Sequence, residues 1–123
     1  MPRSWPDKFK SAFRGVWLAI CSERSFAIHL PAAAAVGILA AIVDVSLMEA
    51  CILGLCATIV LAAEVFNTAI ERLAREISRE ERPGLAAALD MASGAVLLCS
   101  LGAAAIGAAI FIHRLGTRLG WWS

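Results

Sequence analysis

Three stretches of this 123-residue chain are long enough and poor enough in charge to cross a lipid bilayer, which leaves few folds open to it. Ser25 to Val43 is 19 residues without Asp, Glu, Lys or Arg, Ala50 to Ile70 is 21 residues whose only charge is Glu64, and Met91 to Ile112 is 22 residues with none. At about 1.5 Å of rise per residue, helices of these lengths cross a hydrocarbon core of about 30 Å. Inside such a core only helices and closed barrels satisfy their own backbone. The chain is 60% hydrophobic and 17% charged, against about 25% charged in soluble domains. With a formal net charge of +1, that balance excludes a disordered chain and a nucleic-acid binder held by bulk charge. The expected fold is an all-α membrane protein, residues 1–123 forming a single membrane domain with a surface helix over about 7–22 and spans over about 25–45, 49–75 and 86–113.

Charge sets the orientation. Arg3, Lys8, Lys10, Arg14 and Arg24 precede the first span, and Arg72, Arg75, Arg79 and Arg82 lie between the second and third. The Asp44 to Glu49 connection holds two acids and no base. The positive-inside rule therefore places the N-terminus and the second loop in the cytoplasm of a multi-pass protein. Phe9, Phe13, Val16, Trp17 and Ile20 recur at helical spacing, which predicts an amphipathic helix on the inner surface, either an anchor or a flap over a site. No small-residue cleavage site follows the first apolar run, so no cleaved signal peptide is expected. Pro31 is expected in the first turn of span one, and Pro83 with Gly84 is expected to break the cytoplasmic loop. In span three, Ser100, Ala104 and Ala108 form one row and Ala103 with Gly107 the next, small residues suited to close approach by a neighbouring helix. Cys21, Cys51, Cys56 and Cys99 form no Cys-x-x-Cys pair and read as small buried hydrophobes.

Glu64 lies about seven residues inside the cytoplasmic end of span two, roughly 10 Å below its edge. A carboxylate at that depth costs several kcal/mol unless it faces protein or water, and so marks a functional site. At about 100° per residue, Asn67 and Glu71 fall within about 60° and 20° of Glu64, forming one polar stripe. Glu23 before span one and Asp90 at the start of span three are expected at the same level. Carboxylates at one membrane face suit a magnesium ion that shares its coordination with water and substrate phosphates, and the deeper one suits proton abstraction from a lipid hydroxyl. The chain has no Gly-x-x-x-x-Gly-Lys-Ser/Thr loop.

The run Glu64-Val-Phe-Asn67-Thr-Ala-Ile-Glu71 resembles the signature of the small bacterial diacylglycerol kinases and their undecaprenol kinase relatives. Phe9-Lys-Ser-Ala-Phe13-Arg-Gly15, Ser22-Glu23-Arg-Ser-Phe26-Ala-Ile-His29 and Asp90-Met-Ala-Ser-Gly-Ala-Val-Leu-Leu98 are similar to that family's surface helix, first-span entry and third-span opening. The resemblance implies a surface helix plus three transmembrane helices, assembled as a homotrimer in the bacterial inner membrane. It implies a kinase that moves the ATP gamma-phosphate to a lipid hydroxyl, diacylglycerol to phosphatidic acid, with undecaprenol as the alternative acceptor. Glu64 would be the general base with Asn67 its polar partner, and Glu23 and Glu71 would carry Mg2+. Ser11, Glu23, Glu71, Glu80, Glu81, Arg82 and Asp90 would bind ATP.

The chain departs from the family pattern at Leu89, where a Lys precedes the matching Asp, at Arg75, where the family has Asp, and at Arg82-Pro83, which replaces a His-containing loop. Arg75, Arg79 or Arg82 is expected to supply the missing positive charge. Two other readings compete with the kinase: a homologue of weakened catalysis, and a small oligomer using Glu64 as a buried proton or cation site.

Overall fold

The computed structural model describes residues 3–122, which form four helices and, among those residues, no strand. Helix α1 is Trp5–Ser22, α2 is Arg24–Val43, α3 is Leu47–Ile77 and α4 is Pro83–Leu119. The last three are long and apolar enough to cross a membrane.

Ser4 caps α1 by accepting the Asp7 amide, and Pro6 occupies a first-turn position where a missing N–H costs nothing. Phe13 and Trp17 remain 74% and 67% exposed, so the apolar face of α1 is left for lipid, while Ala19 on another face is buried. Glu23 alone separates α1 from α2, its extended backbone making the corner that turns the chain from the surface into the bilayer. One residue thus bears both the corner and a candidate carboxylate.

Pro31 lies inside α2, two turns past its start, and not in the first turn. The helix begins at Arg24, ahead of the charge-free run, because a helix that enters the membrane can start in the polar interface. Asp44 ends α2 in the left-handed conformation at φ 56°, which a short polar side chain tolerates. Ser46 then starts α3 with a reciprocal capping box, its hydroxyl accepting the Glu49 amide while the Glu49 carboxylate accepts the Ser46 amide. That carboxylate also receives the Arg114 Nε at 2.7 Å, tying the start of α3 to the end of α4. Arg118 donates to the Ile42 carbonyl at 3.3 Å, which brings α2 into the same end.

Pro83 and Gly84 open α4 rather than break the loop, since proline at a first helical position removes only an amide that has no helical partner. The structured connection is correspondingly short, running from Ser78 to Arg82. At the other end Gly120, at φ 75°, closes α4 with its amide and that of Trp121 turned back to Gly116. Helices α3 and α4 form the principal pair, with α1 and α2 against α3. The small-residue rows of α4 line a groove of about 360 Å³ shared with α2 and α3 of the same chain, through Ser100, Ala103, Ala104, Gly107 and Ala108. Within the chain these small side chains leave open space between the helices and bring no helix into close approach.

Candidate active site

Leu53, Val60, Glu64, Asn67, Thr68 and Ala74 are the buried residues of α3, a single stripe turned toward the other helices. Toward the C-terminal half of α3 this stripe changes from apolar to polar. Glu64 is 2% exposed and, with Phe26, one of the two largest fully buried side chains among the described residues. Thr68 spends its hydroxyl on the Glu64 carbonyl at 2.9 Å, a local bond that leaves the carboxylate untouched.

The Glu64 carboxylate meets α2 at His29, whose Nδ1 stands 2.9 Å from Oε1. The ring N–H is not directed at that oxygen, so the contact is electrostatic and not a formed hydrogen bond. Glu64 Oε2 and Asn67 Oδ1 are buried without a partner. Orphan acceptors of this kind cost several kcal/mol in a membrane and point to a ligand group that arrives from outside. The other end of the Asn67 amide donates to Glu71 Oε1 at 2.9 Å, which fixes the second acid of the stripe.

Glu23 completes the acid group from the α1–α2 corner. Burial, then its hydrogen bond with Glu71, then the charges of Glu71 and Glu64 hold its carboxyl above the usual carboxylate range, while Arg75 opposes the shift. Glu23, Glu64 and Glu71 therefore share one field. Among the described residues no group of three or more His, Cys, Asp or Glu side chains closes on one point as an all-protein metal cage. Two neighbouring carboxylates, Glu23 and Glu71, are what magnesium takes when water and substrate phosphates fill its remaining positions. The crowding of two acids is the feature that such a cation would relieve. Arg72 holds the corner in place by donating to Ser22 Oγ at 2.8 Å.

Beyond Glu71 an open cleft of about 560 Å³ runs along the α3–α4 connection, lined by Arg75, Arg79, Glu80, Glu81, Arg82 and Leu89 among others. The structure thus brings Glu71, Glu80, Glu81 and Arg82 to one surface. Asp90 is exposed and does not line this cleft, although its neighbour Leu89 does. Ser11 is exposed on α1 and accepts from Arg3 at 3.2 Å, also outside the cleft. His29 was legible from sequence only as part of a motif; the stronger signal was a lone polar side chain between Ser25 and Asp44.

A helical protein of three membrane spans, with a buried acid beside a carboxylate pair at one face, is of the class of small integral membrane proteins that carry a polar site among their helices. The chain belongs to the prokaryotic diacylglycerol kinase family, a family of membrane lipid kinases, whose model matches residues 10–111. It is 36% identical over 107 residues to an undecaprenol kinase of Bacillus subtilis, covering 87% of each chain. It is 31% identical over 108 residues to a diacylglycerol kinase of Synechocystis, covering 87% of this chain and 62% of that one. No solved structure gives a significant match.

Proposed function

We propose that this chain transfers the gamma-phosphoryl group of ATP to the hydroxyl of a membrane lipid at the cytoplasmic face of the bacterial inner membrane. The observation that carries the reading is Glu64 Oε2, a buried carboxylate oxygen without a partner, on the same stripe of α3 as Glu71 of the Glu23–Glu71 pair. Glu64 takes the acceptor proton as the hydroxyl oxygen bonds to phosphorus and ADP leaves. Asn67 keeps Glu71 turned toward Glu23. Glu23 and Glu71 would hold Mg2+, which supplies neutralising charge to the transferring phosphate. The cleft between Arg75, Arg79 and Arg82 receives the polyphosphate, and its guanidiniums stand in for the cation absent at Leu89. Glu80 and Glu81 line the same cleft and suit the ribose hydroxyls. Ser11 and Asp90 act at the margin of the nucleotide site.

Undecaprenol is the favoured acceptor, supported by the relative that matches over 87% of both chains. Diacylglycerol is the second reading, supported by the other relative. The orientation with α1 and the α3–α4 connection in the cytoplasm rests on the nine bases counted above. Assembly as a homotrimer rests on the family resemblance. The test is transfer of labelled gamma-phosphate from magnesium ATP to each lipid in mixed micelles by purified protein. Label on the polyprenol in excess of label on the glyceride supports the reading; label on neither contradicts it.

A further inference from the structure

We propose that His29 is a positioning residue for Glu64, holding Oε1 so that Oε2 alone faces the acceptor hydroxyl. The proposal rests on the kinase reading above and deepens its acceptor side. His29 is the only polar side chain between Ser25 and Asp44, in a helix that is otherwise apolar beyond its first two residues. A side chain of that kind in a span is expensive unless it answers another polar group. It answers Glu64, on a different helix, at 2.9 Å.

The two carboxylate oxygens are therefore not equivalent. Oε1 has the imidazole against it, and Oε2, on a residue 2% exposed, has no partner. A carboxylate free to rotate would turn its oxygens out of line with the acceptor hydroxyl part of the time, and a general base must stay within hydrogen-bond reach of the proton it takes. His29 also lines the apolar groove, with Ala32, Ala33 and Val36 of its own helix, so the imidazole stands between hydrocarbon space and the acid. Ser100 Oγ, also on that groove, is buried without a partner. The nucleotide cleft is lined by other residues, from Glu71 outward.

The acceptor oxygen bonds to the gamma-phosphorus, the bond from that phosphorus to the bridging oxygen breaks with its electron pair leaving on ADP, and the hydroxyl proton passes to Glu64 Oε2, later to be released to water. His29 gains and loses nothing. It needs the tautomer with hydrogen on Nδ1, and the present misalignment of that N–H is of the sort that tightens when substrate is bound.

The experiment compares wild type, His29→Leu, His29→Asn and His29→Gln in mixed micelles with magnesium ATP and undecaprenol or diacylglycerol, whichever the wild type labels. Asn places its amide nitrogen where Nδ1 stands, and Gln places it near the Nε2 position. His29→Leu should lower kcat by about 10- to 100-fold, the scale of losing a group that orients another, with KM for ATP within about twofold. His29→Asn should recover most of the loss and His29→Gln little of it. Wild-type kcat in His29→Leu overturns the proposal, as does equal impairment of Asn and Gln. Should His29→Leu not fold, the Asn and Gln pair decides alone, Asn above Gln supporting and any other order overturning. Absence of transfer by the wild type would overturn the kinase reading, and this proposal with it.

Discussion

Asn67 and Glu71, one helical turn apart on α3, are joined by a 2.9 Å bond from the amide nitrogen to the carboxylate, while the amide oxygen of Asn67 is left buried and unpartnered. Half of this side chain is committed to an acid and half is open to a ligand. Asn67→Ala should release Glu71 and raise the magnesium concentration needed for half-maximal transfer by about tenfold. An activity titration against magnesium at saturating ATP reads this. An unchanged midpoint would remove Asn67 from the ordering of the metal site.

Glu23 carries its proton to higher pH in the folded chain than a free carboxylate, whose usual value is about 4.3, chiefly through burial and the adjacent Glu71. Its folded value being raised, its stabilising contribution is full below the unfolded value and is lost as pH rises through the folded one. At pH 7 the acid pair thus works against the fold, and a divalent cation should offset it. Magnesium is expected to raise the thermal midpoint in detergent at pH 7 and to do so far less at pH 4. Glu23→Gln should raise the midpoint without magnesium and blunt the response. A magnesium effect identical in the variant would contradict the assignment.

Arg75, Arg79 and Arg82 line the open cleft and are exposed, so each contributes modestly in water. Replacing one by Ala should raise KM for ATP by about threefold to tenfold, with the lipid KM unmoved. Steady-state kinetics on the three single variants checks this. No change in any of them would leave the missing charge at Leu89 without a substitute.

At the far end, Glu49 serves both the Ser46 cap and Arg114. Arg114→Ala should lower the thermal midpoint in detergent by a few degrees, since the link between α3 and α4 is lost while the cap stays. KM for ATP should be unchanged because the cleft proposed for the nucleotide lies at the opposite end. A rise in that KM would show coupling along the helices.

The spans and the polar stripe of α3 could be read from sequence because membrane solvation writes itself into composition: a charge-free run has few other uses, and Glu64 inside one stands out. Glu23, Glu71, Glu80, Glu81 and Arg82 could be placed at one face by orientation and resemblance. Helix starts were harder, because an interfacial helix tolerates Arg24 and Pro83 at its first positions, where hydropathy gives no signal. Asp90 lies outside the cleft that its neighbour Leu89 lines, because helical phase at the start of α4 is set by contacts with α3 that composition does not encode. The meeting of His29 with Glu64 is tertiary, separated by 35 positions, and depends on how α2 crosses α3.

The most direct test of the account is Glu64→Gln, which keeps the shape of the side chain and removes its capacity to take a proton. Transfer of labelled gamma-phosphate to lipid should fall by at least about 100-fold, while magnesium ATP still binds, as read by equilibrium dialysis. Transfer within about threefold of wild type would mean that the buried carboxylate is not the base, and the central assignment would fail.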